Sequence, residues 1–257
     1  MNKIIVITGG TSGIGLELKK LFEANGDKVI TISRREAEGE HHAVDVANEK
    51  KVTTVMAKIA KKYGHIDMLI NSAGFGISGI TEITPTDNWK SVTDVNFNGT
   101  MYATRAALKY MGKGSRVVNI SSAMALFPVP FRSYYAAAKS AVLTMSFALR
   151  MELEPLGIDV VAICPGDIRT SFTANRIKNY DSDPRYGNRL YNATEKCDAR
   201  ESKRMSADVC GKKIYKIISK KHTRPYYIIG AKYKALHFLT RFTPKSWLLK
   251  ATNKMMG

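Results

Sequence analysis

Tyr135 and Lys139 stand four residues apart, and no other tyrosine in the chain has a lysine at that interval. On a helix this spacing places both side chains on one face, a turn apart. A phenol titrates near pH 10, and an adjacent ammonium lowers it toward the range in which it can give and take protons. With 12 Tyr in 257 residues, about one such pair arises by chance, so the pair carries little alone. Ser122 adds weight. It precedes Tyr135 by 13 residues and follows a β-branched run, Arg116–Ser121, that reads as a central strand. In a doubly wound sheet, ligands bind at the carboxyl ends of such strands. A hydroxyl there can hold a substrate oxygen and steady a developing alkoxide.

A second constellation lies at the amino end. The run Ile4-Ile5-Val6-Ile7 enters Thr8-Gly9-Gly10-Thr11-Ser12-Gly13-Ile14-Gly15, a buried strand passing through a glycine-rich turn into a helix. The glycines at 9, 13 and 15 depart from the G-x-G-x-x-G spacing, but the physics is shared. Glycine lets the backbone approach a pyrophosphate, and the helix N-terminus supplies N–H donors and positive potential. Gly9, Thr11, Ser12, Gly13 and Ile14 are therefore candidate cofactor contacts. At the end of the second strand, where an acidic residue normally binds the adenosine ribose, the chain has Ser33, Arg34 and Arg35. A small hydroxyl followed by guanidinium groups suits a 2′-phosphate, which favours NADP(H) over NAD(H).

These residues need a scaffold, and the hydrophobic pattern describes one. Short β-branched runs at Lys3–Thr8, Lys28–Ser33, His41–Val46, Met68–Ser72, Arg116–Ser121 and Asp159–Cys164 alternate with helical patterns near Gly13–Asn25, Glu49–Tyr63, Thr86–Met111 and Tyr135–Glu154. Strands apolar on both faces and separated by helices predict an α/β fold, a doubly wound parallel sheet with helices on both faces. The length suits one domain over residues 1–257. Beyond Pro165-Gly166 the pattern breaks: about 170–205 is polar and poorly periodic, as expected of a substrate lid. Ser206 then reads as the N-cap of a helix Ala207–Lys220, and Tyr226–Gly230 as a last strand. The tail, about 231–257, contains two short amphipathic helical patterns, with Thr243 and Pro244 as cap and first residue of the second.

With these pieces in order, the chain resembles the short-chain dehydrogenase/reductases of about 250 residues over nearly its whole length. The resemblance rests on Thr8-Gly9 with Gly13 and Gly15, Asp45, Asn71-Ser72-Ala73-Gly74, Asn96, Ser122, Tyr135 with Lys139, and Pro165-Gly166 with Thr170. Two departures are Ser72, where the family usually has a second Asn, and Ala123–Leu126, which lacks a glycine often found there. The resemblance implies a Rossmann-like fold, with Tyr135 as general acid or base and Lys139 holding the nicotinamide ribose. It further implies that Ser122 holds the substrate oxygen and that Asn96 positions a water linking Lys139 to solvent. Asp45 with Val46 would meet adenine, Asn71, Ala73 and Gly74 would line the cofactor channel, and Pro165, Gly166, Ile168 and Thr170 would flank the nicotinamide. It also implies a homodimer or homotetramer, built through the helix carrying Tyr135 and the long helix before it.

The segment from Met124 to Phe131 borders the substrate in that family. Its apolar character, with Phe127 and Phe131 in it and Phe172 at the lid, points to a bulky hydrophobic carbonyl or alcohol of steroid, retinoid or lipid type. The runner-up is reduction of a 3-oxoacyl group on an acidic carrier protein. A cofactor-sensing protein without turnover is the non-enzymatic alternative, disfavoured because a sensor need not keep a proton relay.

Composition bounds the rest. The odd count of three cysteines and five scattered histidines gives no metal-ligand spacing, and a reducing compartment is expected. No stretch approaches the roughly 18 apolar residues of a membrane span, so a soluble, cytoplasmic protein is expected. The net charge of +18 is uneven: residues 1–175 carry +4 and residues 176–257 carry +14. After Asp208 there are 12 Lys or Arg and no carboxylate. In the tail the cations interleave with Tyr233, Phe238, Phe242 and Trp247, which fits peripheral contact with an anionic bilayer better than nucleic acid.

Overall fold

The computed structural model describes residues 2–256 apart from 171, 173, 174, 182 and 203. Its centre is a parallel seven-stranded sheet of β1 (Ile4–Thr8), β2 (Lys28–Ser33), β3 (His41–Ala43), β4 (Met68–Asn71), β6 (Arg116–Ile120), β7 (Asp159–Pro165) and β11 (Tyr226–Ile229). The spatial order is β11-β7-β6-β4-β1-β2-β3. The chain thus winds outward from β1 through β3, returns to place β4 on the other side of β1, and winds outward again. The reversal between β1 and β4 opens a crevice at their carboxyl ends, where this architecture binds ligands. Two small parallel pairs not foreseen from sequence stand beside the sheet: β5 (Ile77–Ser78) with β9 (Ile177–Lys178), and β8 (Ile168–Arg169) with β10 (Met205–Ser206).

Every residue of β1, β4 and β6 is buried, because helices cover both faces. One face is covered by α1 (Gly13–Ala24) and α7 (Ala207–Ile218), whose Leu18, Phe22, Cys210, Ile214 and Ile218 meet Ile5, Ile7 and Ile163. On the other, α2 (Glu49–Tyr63) presents Val52, Val55, Met56 and Ile59 at helical spacing to Val6, Ile30 and Leu69. Asn48 caps α2 by accepting from the Lys51 amide at 3.0 Å, and Gly64 ends it at φ 85°.

The helical pattern expected over Thr86–Met111 is not continuous. It divides into α3 (Thr86–Thr93), one π turn over Asp94–Asn98 and α4 (Gly99–Leu108). The third strand ends at Ala43 rather than Val46, since Asp45 turns to accept from the Ala47 amide. The helix α5 (Ser133–Leu153) is the longest and carries Tyr135 and Lys139 on its buried side. Within the lid, α6 (Arg189–Ser202) forms a helix where an irregular stretch was expected. The tail folds as α8 (Ala231–Leu239) and α9 (Lys245–Met256). Thr243 does not cap α9: its hydroxyl donates to the Leu239 carbonyl, and the Pro244 carbonyl accepts the first amides of the helix. Ser206 stands at the cap position of α7, but its hydroxyl makes no cap bond there.

A chain of buried amides ties the middle of the sheet to its helices. The Asn71 side chain donates to Thr104 at 3.0 Å and to Asn119 at 2.8 Å, and Asn119 donates to Ser146 on α5 at 2.9 Å. Asn119 is fully buried, so each lost partner leaves a desolvated polar group. Replacing Asn119 with Ala should cost about 2–3 kcal/mol. For a chain of this size that lowers the melting temperature by roughly 5–10 °C. A melt within a degree of wild type would show that the amide chain contributes nothing.

Candidate active site

Four side chains reach one place from different elements. Ser122 follows β6 and starts a 3-10 turn over Ala123–Ala125, its hydroxyl accepting from the Met124 amide at 3.1 Å. Two bonds seat α5 against that strand end. The Ser121 hydroxyl donates to the Lys139 carbonyl at 2.7 Å, and Lys139 Nζ donates to the Ile120 carbonyl at 3.0 Å. Tyr135, one turn earlier, shares the cavity with Ser122 and Lys139. Asn96 sits in the π turn, held by bonds of 2.9 Å from Nδ2 to the carbonyls of Phe75 and Val92. A π turn shifts the register of a helix by one residue, which is how the side chain at 96 is aimed into the protein.

The electrostatics are dominated by burial. Lys139 is 5 % exposed and, among the described residues, forms no ion pair. Desolvation lowers its ammonium from 10.5 to about 8. The Cys164 thiol beneath it is pushed up to about 12 by the same cause, so it stays neutral. Asn96 Oδ1 is buried and receives no hydrogen bond from the described residues. A side chain built at Gly74 would come within 2.5 Å of Asn96 Oδ1 and 3.3 Å of Lys139 Nζ. The amide oxygen and the ammonium therefore flank the same small space at Gly74, an arrangement suited to passing a proton between Lys139 and a polar partner.

The adjoining crevice fits a dinucleotide. Gly9, at φ 69°, lies so close to the next loop that a Cβ would stand 2.7 Å from the Ala73 backbone. At Gly15 a Cβ would reach 2.4 Å from the Gly9 carbonyl. The Thr8 hydroxyl accepts from the amides of Ser72 and Ala73, which fixes the β4 loop beside the turn. The result is a backbone-walled cradle at the N-terminus of α1, the setting in which a pyrophosphate is held. A nicotinamide dinucleotide bound there supplies or accepts the hydride of a carbonyl–alcohol interconversion.

The cavity joins most of the predicted residues: Gly9, Ser12, Gly13, Ile14, Ala73, Gly74, Ser122, Tyr135, Lys139, Pro165, Gly166, Ile168, Thr170 and Phe172 line it. Thr11 and Ser33 lie beyond its edge and bond each other at 3.1 Å, joining the glycine turn to the end of β2. Arg34 and Arg35 are exposed there and, among the described residues, form no ion pair. Asp45 is half-buried, and Val46 is buried against Gly99.

Three expectations need correction. Asn71 does not line the channel, because its side chain is turned into the sheet to serve the amide chain above. Phe127 is buried against Tyr233 and His237 rather than facing the cavity. Phe131, at φ 61°, packs against Tyr186 and Arg189 of the lid, and its carbonyl accepts from the Gly79 amide. Only Phe172 of the three phenylalanines lines the cavity, its ring edge-on to Tyr135 at 5.6 Å.

Other lining residues were missed. Arg132 and Arg176 are 3 % and 5 % exposed and border the cavity, Arg176 lying over the Phe172 ring. Both meet Asp198 of α6, which also pairs with Lys178 at 2.6 Å. That carboxylate fastens the lid helix to the body. Tyr233 of α8 covers Gly166 so closely that a Cβ there would stand 2.2 Å from its ring. Burial and the Asp167 carboxylate raise the Tyr233 phenol, so it stays protonated. No local pattern in the sequence announces these partners, since Arg132 and Arg176 meet Asp198 only through the fold.

The fold and site define a nicotinamide-dependent oxidoreductase acting on CH–OH groups. The chain belongs to the short-chain dehydrogenase/reductase family, whose model, short chain dehydrogenase, matches residues 3–181. It is 36% identical over 180 residues to a 3-ketodihydrosphingosine reductase of Bacteroides thetaiotaomicron, covering 68% of this chain and 67% of that one. A probable short-chain type dehydrogenase/reductase VdlC of Helicobacter pylori is 30% identical over 253 residues, covering 94% and 93%. A short-chain dehydrogenase structure from Streptomyces avermitilis superposes with TM-score 0.82 at 25% identity, covering 94% and 93%.

The buried ammonium has a consequence for stability. Its folded-state value of about 8 lies below the ordinary 10.5. Between these values the unfolded chain binds more protons than the folded one, so stability rises with pH across that window. Below about 8 the penalty is fully present. Without cofactor, Lys139→Met should therefore melt higher than wild type at pH 7, and the gap should shrink as pH rises from 8 to 10.5. A gap independent of pH would contradict this account of Lys139.

Proposed function

We propose that this enzyme is an NADP(H)-dependent reductase or dehydrogenase, transferring hydride between the nicotinamide and a secondary alcohol or ketone on a lipid-like substrate. The observation that carries the reaction is the convergence of Ser122, Tyr135 and Lys139 in one cavity beside the glycine cradle. Ser122 orients the substrate oxygen by a hydrogen bond. Tyr135 donates its phenolic proton to that oxygen during reduction and takes one back during oxidation. Lys139 favours the phenolate by its charge, and Asn96 stands where a proton can be relayed from Lys139.

The cofactor preference rests on the end of β2. No carboxylate stands at 33–35 to repel a 2′-phosphate, and two exposed guanidinium groups are available to bind one. The substrate class rests on the cavity wall. Met124, Phe172 and Tyr233 make it apolar, with Arg132 and Arg176 adding a cationic border. An amphipathic long-chain ketone matches that wall, in keeping with a relative named as a reductase of 3-ketodihydrosphingosine.

Tyr135→Phe keeps the ring and removes the proton. It should lower kcat for NADPH-dependent ketone reduction by about 10²–10⁴ while leaving NADPH binding intact. Equal turnover in both proteins would remove Tyr135 from its role. Replacing both Arg34 and Arg35 with Ala should raise the KM for NADPH about tenfold or more and leave that for NADH within about twofold. Parallel changes for the two cofactors would overturn the 2′-phosphate assignment.

A further inference from the structure

The tail helices leave a face that none of the described residues covers. On α8, Tyr233, Leu236, His237 and Thr240 form a half-buried stripe, and His237 bonds Tyr226 at 2.7 Å. Ala235, Phe238, Leu239 and Phe242 form the opposite stripe at i, i+3, i+4 and i+7. Phe238 and Leu239 are each 58 % exposed and Phe242 is 75 % exposed. The rings of Phe238 and Phe242 stand edge to face at 5.6 Å, so they make one patch. Trp247 and Leu249 extend it along α9, while Leu248 and Thr252 are half-buried and Arg189 of α6 holds Asn253. Of the eleven large hydrophobic side chains exposed among the described residues, five thus fall within twelve positions. Such clustering marks an interaction site, unlike the singly scattered residues elsewhere.

Charge identifies the occupant. Lys232, Lys234, Arg241, Lys245 and Lys250 surround the patch, are exposed, and form no ion pair among the described residues. The segment has no carboxylate. A second copy docking through the same face would bring this basic surface against itself, which repels. Apolar aromatic side chains ringed by unpaired cations match an anionic lipid surface, where the rings enter the headgroup region and the lysines meet phosphates. No helix among the described residues is long and apolar enough to cross a membrane.

We propose that α8 and α9 form a peripheral docking surface for anionic membranes, with Phe238, Leu239, Phe242 and Trp247 inserted at the headgroup level. The opposite side of α8 carries Tyr233 into the active-site cavity. The same helix therefore separates the bilayer from the substrate by its own width. The docking stands independently of the reaction proposed above.

Truncating the tail would also remove Tyr233, so the test uses full-length protein. Co-sedimentation is measured with vesicles of phosphatidylcholine alone and with phosphatidylglycerol added at about a third. Wild type should sediment with the anionic vesicles, less so at high salt, and should stay in solution with the neutral ones. Phe238→Ser with Phe242→Ser should weaken binding about tenfold or more, with circular dichroism and melting unchanged. Should that pair disturb folding, Lys234→Glu with Arg241→Glu and Lys245→Glu reads the same surface through charge, with the same loss expected. Wild type remaining in the supernatant, or both variants sedimenting as wild type does, overturns the proposal. So does ultracentrifugation showing that Phe238 and Phe242 hold two copies together without lipid.

Discussion

An ammonium buried with no carboxylate beside it among the described residues is the constraint around which this enzyme is arranged. Lys139 gives up most of its hydration, and among the described residues its ammonium donates to the Ile120 carbonyl, with Asn96 Oδ1 across the small space at Gly74. Free lysines pair or remain wet; this one is held at about 8, close to where a proton can leave. Its position is reciprocal, because the same residue's carbonyl accepts from Ser121. The strand end that delivers Ser122 and the helix that delivers Tyr135 are thus locked to each other through one lysine. A π turn containing Asn96 and a glycine at 74 are the local irregularities that this packing requires.

A second constraint, the close approach of β1 and β4, organises the cofactor end. Thr8 stitches the two loops, and Gly9 and Gly15 have no room for a side chain. Because the strand order reverses here, a crevice opens between the two loops at the carboxyl ends of the strands. The site is therefore a property of the sheet's winding as much as of its residues.

Sequence reasoning worked where physics is local. A glycine turn after a β-branched run, a helical interval between Tyr135 and Lys139, and strands apolar on both faces are each legible within a dozen residues. It failed where the partner is distant. Asn71 looked like a cleft residue because its neighbours are; only Asn119, 48 residues on, shows that its amide faces the sheet. Phe127 and Phe131 were apolar in the right segment, but α8 and the lid claim them. The lid helix α6 was invisible because its 14 residues are strongly polar. It is stabilised through Asp198, which meets cations that no periodicity could pair with it. The π turn was hidden inside a continuous helical pattern, since one extra residue barely disturbs hydrophobic spacing.

The distribution of charge follows the same division. Around the lid, basic residues have work within the fold: Arg132 just before α5, with Arg176 and Lys178 of the lid, converges on Asp198 of α6. At the end of β2, Arg34 and Arg35 lie beside the nucleotide crevice. The tail differs because, among the described residues, its cations meet no carboxylate while Phe238, Phe242 and Trp247 are exposed. A folded chain gains nothing from leaving both exposed together, since each could be covered or replaced at little cost to stability. The surplus of positive charge thus separates into a part that builds the enzyme and a part that faces outward, with Tyr233 and Gly166 marking where the two meet.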